Sequence, residues 1–206
     1  MLLNDQVIYS VKLILLGLGN PGKKYKSTRH NLGHWFVDRF ANFLHTSFLK
    51  SDCFCVASSR LIDKEVVLLK SLHFMNSNGT GLASFLKKTS TSKDQFMLVH
   101  DEVNMPVGRV KFSSGKSAGG HNGVRSVIDA LGYSPTRMRL GIDSNRSPDL
   151  SLSKYVLSDL SKEEQKSFDS LFPNLLHAIK LFLSDGLSSA SNYANRYPIP
   201  SPAPNI

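Results

Sequence analysis

The stretch LILLGLGNPGKKYKSTRHNLGHWFVDRF, Leu13 to Phe40, restricts the possible folds of this chain more than any other. Val11 to Leu16 is an apolar run of strand length. It empties into a polar turn, Gly17 to Thr28, and apolar residues then return at Leu32, Phe36, Phe40 and Phe43 with helical spacing. The pattern predicts strand, loop and helix, with the helix starting near Thr28. In an open α/β sheet such a junction carries loop residues to the carboxyl end of a strand, where ligand crevices form. Asn20 and His30 are therefore the first candidates for a site.

Similar alternation continues downstream. Cys53 to Ser58 and Glu65 to Lys70 read as two strands around a turn at Ile62-Asp63-Lys64. A helix containing Leu82, Phe85 and Leu86 follows Phe74-Met75-Asn76. A third apolar strand, Gln95 to His100, is expected to end at Asp101-Glu102. A short strand, Gly108 to Phe112, leads through the small-residue loop Ser113 to Gly120 into a helix over His121 to Leu131, and Arg137 to Ile142 is expected to close the sheet. Ser161-Lys162-Glu163-Glu164 has the form of a capping box opening a long helix, with Pro173 expected to kink it. A last helical stretch spans Leu187 to Tyr193. The fold class expected is α/β: a single three-layer domain over residues 1–196, with a mixed, mostly parallel sheet flanked by helices. Residues 197–206 form a Pro-rich C-terminal tail expected to be disordered.

Charge narrows the choice of partner. A formal net charge of +9 favours a polyanion such as RNA over an acidic small molecule, and on charge alone it fits a solvated basic surface with no partner equally well. Cys53 and Cys55 are the only cysteines, which excludes a disulfide framework or a four-cysteine zinc site and fits a reducing compartment. Val11 to Leu16 is too short to span a bilayer, and the preceding residues lack arginine, unlike a transit peptide. The expectation is a soluble protein with no membrane partner.

Three short motifs mislead. Gly17-Leu18-Gly19-Asn20-Pro21-Gly22 matches a dinucleotide fingerprint, but the helix does not begin among its glycines and no acid ends the next strand. Gly115-Lys116-Ser117-Ala118-Gly119 matches a nucleophile elbow, yet Gly119-Gly120 would break the helix that must follow Ser117, and only His177 lies downstream. The same Gly-Lys-Ser mimics a phosphate loop whose first glycine is replaced by Val110.

The better constellation is Asn20, His30, Asn76, Asp101 and Asn122, each at the end of a predicted strand or the start of a helix. One imidazole can activate water, a carboxylate can hold its tautomer, and asparagines can meet amide and carbonyl groups. An ester, whose alkoxide leaves readily, needs little more. The same positions also suit ordinary caps and turns. His100 and Glu102 point away from Asp101 in a strand, so a metal cluster there is not expected. Tyr25 and Phe74 can stack on bases or pack in the core. A serine esterase using Ser117, and a non-catalytic RNA-binding module using the basic stretches Lys23 to Arg29 and Arg137 to Arg139, are the competing readings.

Gly17 to Gly22 with Tyr25 and Thr28-Arg29-His30-Asn31, then Phe74-Met75-Asn76, His100-Asp101-Glu102 and Gly119-Gly120-His121-Asn122-Gly123, resemble the bacterial-type peptidyl-tRNA hydrolases in order from about Lys12 to Tyr193. The resemblance implies a carboxylic ester hydrolase that cleaves a peptide from the 3′ end of tRNA. It would be a monomer with no cofactor and no metal, cytoplasmic or, in a eukaryote, mitochondrial. It implies His30 as the base for water, Asp101 as its support, and Asn20 as the residue that selects N-blocked substrates. Tyr25, Phe74, Asn76 and Asn122 would contact the 3′ end and the peptide. Of the two basic residues that grip a terminal phosphate in the family, Arg139 matches one, while Ser113 occupies the other position; Lys111 or Lys116 is then the substitute.

Overall fold

A computed structural model describes residues 11–144 and 146–196; the expected Pro-rich tail, 197–206, and residues 1–10 lie outside the described residues. The strands are β1 (Val11–Gly17), β2 (Leu49–Lys50), β3 (Phe54–Leu61), β4 (Lys64–Ser71), β5 (Phe96–Pro106), β6 (Val110–Ser113) and β7 (Thr136–Asp143). They form one sheet in the order β2-β3-β4-β1-β5-β7-β6. The four central strands β4, β1, β5 and β7 are parallel, and antiparallel neighbours complete both edges.

From Leu13 to Leu16 β1 is apolar because both of its faces are covered. Leu13 and Leu15 pack into one core with Phe36 and Phe40 of α1 (Leu32–Phe43) and with Phe168, Leu171 and Leu175 of α5 (Lys162–Asp185). Ile14 and Leu16 pack on the other face with Leu82 and Leu86 of α2 (Leu82–Lys88) and with Val124 and Val127 of α3 (Asn122–Leu131). This is the expected three-layer α/β domain with a mixed, mostly parallel sheet. α4 (Leu152–Val156) and α6 (Leu187–Arg196) complete the described helices. No described helix is long and apolar enough to cross a membrane.

Several boundaries differ from the sequence reading. β7 does not close the sheet: it inserts between β5 and β6, leaving β6 on the edge. The β3–β4 hairpin turns at Ile62 and Asp63, both at positive φ, as a two-residue turn with the strand twist requires. The long helix α5 starts at the expected Ser161 capping box and runs unbroken through Pro173. β5 continues five residues past Asp101. β1 ends at Gly17, opposite Val99, so from His100 onward β5 loses its neighbour on that side while still pairing with β7. The polar residues that suggest a strand end mark instead the point where β5 runs on past the end of β1.

Candidate active site

Backbone proximity sets the position of the site. A Cβ on Gly33 would lie 2.3 Å from Leu18 N and 2.3 Å from Val99 O, and one on Gly17 would lie 2.2 Å from Gly33 O. These glycines let α1 press directly on the ends of β1 and β5, a packing role rather than a pyrophosphate-binding one. His30 therefore falls not in α1 but in the 3₁₀ turn Arg29–Asn31 just before it.

The residues on either side of His30 are fixed. Asn31 Oδ1 accepts from the Asn20 backbone N–H (2.8 Å), and its amide donates to the Asn20 carbonyl (2.9 Å). Arg29 is buried and donates to Glu164 Oε1 (2.8 Å) and Oε2 (2.6 Å), to Ser158 Oγ (2.7 Å) and to the Asp159 carbonyl (2.8 Å). Arg29 is thus lost to the basic stretch read from the sequence. Asn78, also not singled out there, exchanges two bonds of 3.1 Å with the backbone of Gly19. Asn31 and Asn78 supply the partners that backbone groups lose where a loop leaves a sheet.

His30 Nδ1 lies 3.0 Å from both oxygens of Asp101, whose side chain is 1% exposed. A second imidazole, His121, reaches Asp101 Oδ1 from the other side at 3.0 Å through Nε2. His121 also caps α3, its Nδ1 accepting the Val124 N–H at 3.3 Å, so its proton sits on Nε2 and is donated to Asp101. Burial works to raise the Asp101 pKa, but His121 and His30 outweigh it through charge and hydrogen bonds and hold it well below the usual carboxylate range. Asp101 is an anion at neutral pH, and His30 keeps its proton on Nδ1. The lone pair on His30 Nε2 is then free to accept a proton, on a side chain 13% exposed.

Asn20 completes the set. Its Oδ1 accepts the Met75 N–H at 2.8 Å, which leaves its Nδ2 donors without a protein partner among the described residues. An imidazole, a buried carboxylate and a neutral donor are thus brought together where β1 ends beside β5. The model of the peptidyl-tRNA hydrolase family matches residues 14–202. The chain belongs to that family. It is 33% identical over 187 residues to the peptidyl-tRNA hydrolase of Thermodesulfovibrio yellowstonii, covering 89% of this chain and 99% of that one. Identity to the peptidyl-tRNA hydrolase of Neisseria meningitidis serogroup C is 37% over 187 residues, 89% and 96% of the two chains. The crystal structure of peptidyl-tRNA hydrolase from Acinetobacter baumannii matches with a TM-score of 0.83 at 30% identity, over 92% of this chain and 97% of that one.

In this peptidyl-tRNA hydrolase family member, the remaining sequence candidates divide into those near the cleft and those away from it. Tyr25 and exposed Phe74 meet edge to face, 6.1 Å between centroids, and bring the loop after β1 against the 3₁₀ turn Met75–Ser77. Exposed Asn76 lies on that turn, and exposed Asn122 follows His121 as the first residue of α3. Arg139 is engaged: its Nε and Nη2 both donate to Glu102 Oε2, at 3.0 and 2.6 Å. Exposed Lys111 is its register partner across β6 and β7. Lys116 is elsewhere. Its carbonyl accepts from Ser134 Oγ, beyond the far end of α3, about one ten-residue helix length from His121, on the order of 15 Å.

The elbow reading of Ser117 finds no support in the geometry. Eight residues separate the end of β6 at Ser113 from the start of α3 at Asn122, Ser117 is exposed with its carbonyl accepting from Arg137, and His177 stacks on Tyr193 within the α5 and α6 pair. His30, Asp101 and His121 could be mistaken for metal ligands, since their ligand atoms lie within 4.8 Å of one another. A metal on His121 Nε2 would move its proton to Nδ1, against the N–H of Val124, whereas histidine ligands place their second N–H against an acceptor. His121 was the one member of this cluster the sequence reading passed over, although it lies inside the Gly119 to Gly123 motif, one residue ahead of Asn122.

Proposed function

We propose that this chain hydrolyses the ester joining a peptide, or an N-blocked amino acid, to the 3′ end of tRNA, with His30 as general base for water. The observation that carries this reading is the bond of His30 Nδ1 to both Asp101 oxygens, which presents the Nε2 lone pair to the cleft. Water bound at Nε2 gives up a proton to the imidazole as its oxygen attacks the ester carbonyl carbon. Asp101 stabilises the imidazolium that forms. The tetrahedral intermediate expels the ribose oxygen, which takes the proton back from His30, leaving a free 3′ hydroxyl and a peptide carboxylic acid that ionises by losing its proton to solvent. Asn20 Nδ2 serves as a neutral donor to a carbonyl oxygen of the substrate. A free aminoacyl ester would present an ammonium group where an N-blocked substrate offers a carbonyl. Facing the N–H donors of Asn20, the ammonium would be rejected. Tyr25, Phe74, Asn76 and Asn122 line the approach for the 3′ end and the peptide, and Lys111 and Arg139 lie beside it for a phosphate. We read the working unit as a cytoplasmic monomer without cofactor.

The test compares N-acetyl-aminoacyl-tRNA with free aminoacyl-tRNA in the presence of chelator. Release of the acetylated amino acid alone is expected; equal cleavage of both, or none of the first, overturns the reading. His30→Ala should lower kcat by about 10³-fold or more while tRNA binding is kept. Turnover retained in that variant would remove His30 from the role of base.

A further inference from the structure

The loop between Asn20 and His30 carries three lysines that the site has not used. Lys23, Lys24 and Lys26 are all exposed, on and just after the 3₁₀ turn Lys23–Tyr25. The turn is held by its own backbone. Tyr25 N–H donates to Gly22 O and Lys26 N–H to Lys23 O, each at 3.2 Å, and Thr28 donates to Tyr25 O through its N–H (3.0 Å) and its hydroxyl (2.8 Å). The three charges are therefore presented on a formed surface. Lys24 Nζ sits 4.8 Å from the centroid of the Tyr25 ring, which meets Phe74 at the cleft.

These lysines stand close together in a stretch that has no acid of its own, and none of them makes an ion pair among the described residues. Residues 12–37 contain neither Asp nor Glu. Among the described residues, the one cation of this stretch with an acid partner is Arg29, which reaches Glu164 of α5 and is buried, unlike the three lysines. Asp159 is brought beside the loop by its bridge to Thr28, but it makes no ion pair with Lys26 among the described residues. Unpaired lysines on flexible stems are point charges, suited to phosphodiester oxygens rather than to base edges. Exposed and four to seven residues from His30 in sequence, they are available to RNA beyond the terminal nucleotide whose ester would meet His30.

We propose that Lys23, Lys24 and Lys26 form a second grip on the RNA, holding backbone phosphates of the tRNA body upstream of its 3′-terminal CCA. The inference rests on the esterase reading above. Its test uses two substrates: N-acetyl-aminoacyl-tRNA, and the same N-acetyl-aminoacyl group on a CCA trinucleotide. With Lys23→Gln, Lys24→Gln and Lys26→Gln combined, KM for the full tRNA should rise about tenfold. The slope of log(kcat/KM) against log[salt] should flatten by about 2 to 3, while kcat/KM on the trinucleotide should move less than about twofold. Lys→Arg at all three positions should restore the slope. An unchanged KM and slope on full tRNA, or equal losses on both substrates, overturns the grip. If the wild-type protein cleaves neither substrate, the esterase reading fails instead. The grip is then judged by the salt slope of uncharged tRNA binding, with the same flattening expected in the Gln variant and an unchanged slope overturning it.

Discussion

Two buried carboxylates sit on either side of the His30 turn, and they are built for different work. Asp101 is 2% exposed and Glu164 is 3% exposed, and both are hydrogen-bonded through their side-chain oxygens. Asp101 faces two imidazoles, His30 and His121, groups that can gain and lose a proton. Glu164 faces the permanent charge of Arg29, and also accepts from Ser144 Oγ (2.6 Å) and from the Ser161 N–H that opens α5 (2.6 Å). A carboxylate among imidazoles can steer protons, whereas one clamped on a guanidinium can only hold parts together. The first sits at the open edge of β5 and the second beneath it, joining the turn before α1 to a helix 135 positions away in sequence.

The sharpest way to break this contrast is Asp101→Asn. The new amide donates where the carboxylate accepted, and so drives the His30 proton from Nδ1 to Nε2, the atom proposed to take one from water. A loss of about 10³ to 10⁴ in kcat is expected, measured by single-turnover hydrolysis on the folded protein. Glu164→Gln should do the reverse. Leaving the Arg29 charge buried without its partner costs about 3–5 kcal/mol, read from urea unfolding, while kcat of the folded protein at low temperature stays within about threefold. Replacing both members, Arg29→Met with Glu164→Leu, should recover much of that loss because neither charge remains. A double variant no more stable than the single one would mean that the pair does more than fasten the turn.

Acid titration sharpens the same contrast, provided one background is removed. The pKa of Asp101 is depressed in the folded protein, so its stabilisation is complete above the ordinary carboxylate value of 3.8 and is lost as pH falls below it. His34 acts in a higher window. Burial, aided by Lys70, lowers its pKa from 6.5 to about 3. Between those values the unfolded chain binds a proton that the folded chain refuses, so stability falls as pH drops through 6.5 toward 3. From about pH 7.5 to pH 5 this single group removes about 2 kcal/mol. His34→Leu should cut the stability difference between those two conditions by that amount, and an unchanged difference would show that His34 is already solvated.

The opening unit was legible because it is local. An apolar run, a polar loop and helical spacing follow each other in the chain, and they place Asn20 and His30 at one sheet edge without any knowledge of strand order. The nearness of His30 to Asp101 could be anticipated from the same rule, that a loop leaving one parallel strand lies beside the carboxyl half of its neighbour, even though β5 itself runs on past Asp101. Long-range partners could not. Arg29 reads as one more cation in KKYKSTR until Glu164 arrives, and Lys116 looks adjacent to the cleft until Ser134 draws its loop to the far end of α3. β5 was read too short because Asp101 and Glu102 are polar, which reflects the loss of β1 as a neighbour rather than the end of the strand. The place of β6 outside β7 depends on an antiparallel return, which the apolar pattern does not record.

His121 gives the finest test, because it serves both kinds of structure at once: its Nε2 donates to Asp101 while its Nδ1 caps α3. The two roles can be separated by choice of residue. His121→Asn keeps an acceptor that suits a helix N-cap but is too short to reproduce the imidazole bridge to Asp101. It should lower kcat about tenfold, the worth of one hydrogen bond to a charged group, with stability changed by less than about 0.5 kcal/mol. His121→Phe keeps a ring beside His30, whose centroid now lies 4.8 Å away, but loses both bonds. It should show the same fall in kcat together with about 1 kcal/mol of lost stability, read from urea unfolding. Should His121→Asn turn over at the wild-type rate, the second imidazole is only a cap. Asp101 would then hold its charge and orientation through His30 alone, and the contrast with Glu164 would rest on one proton-carrying partner instead of two.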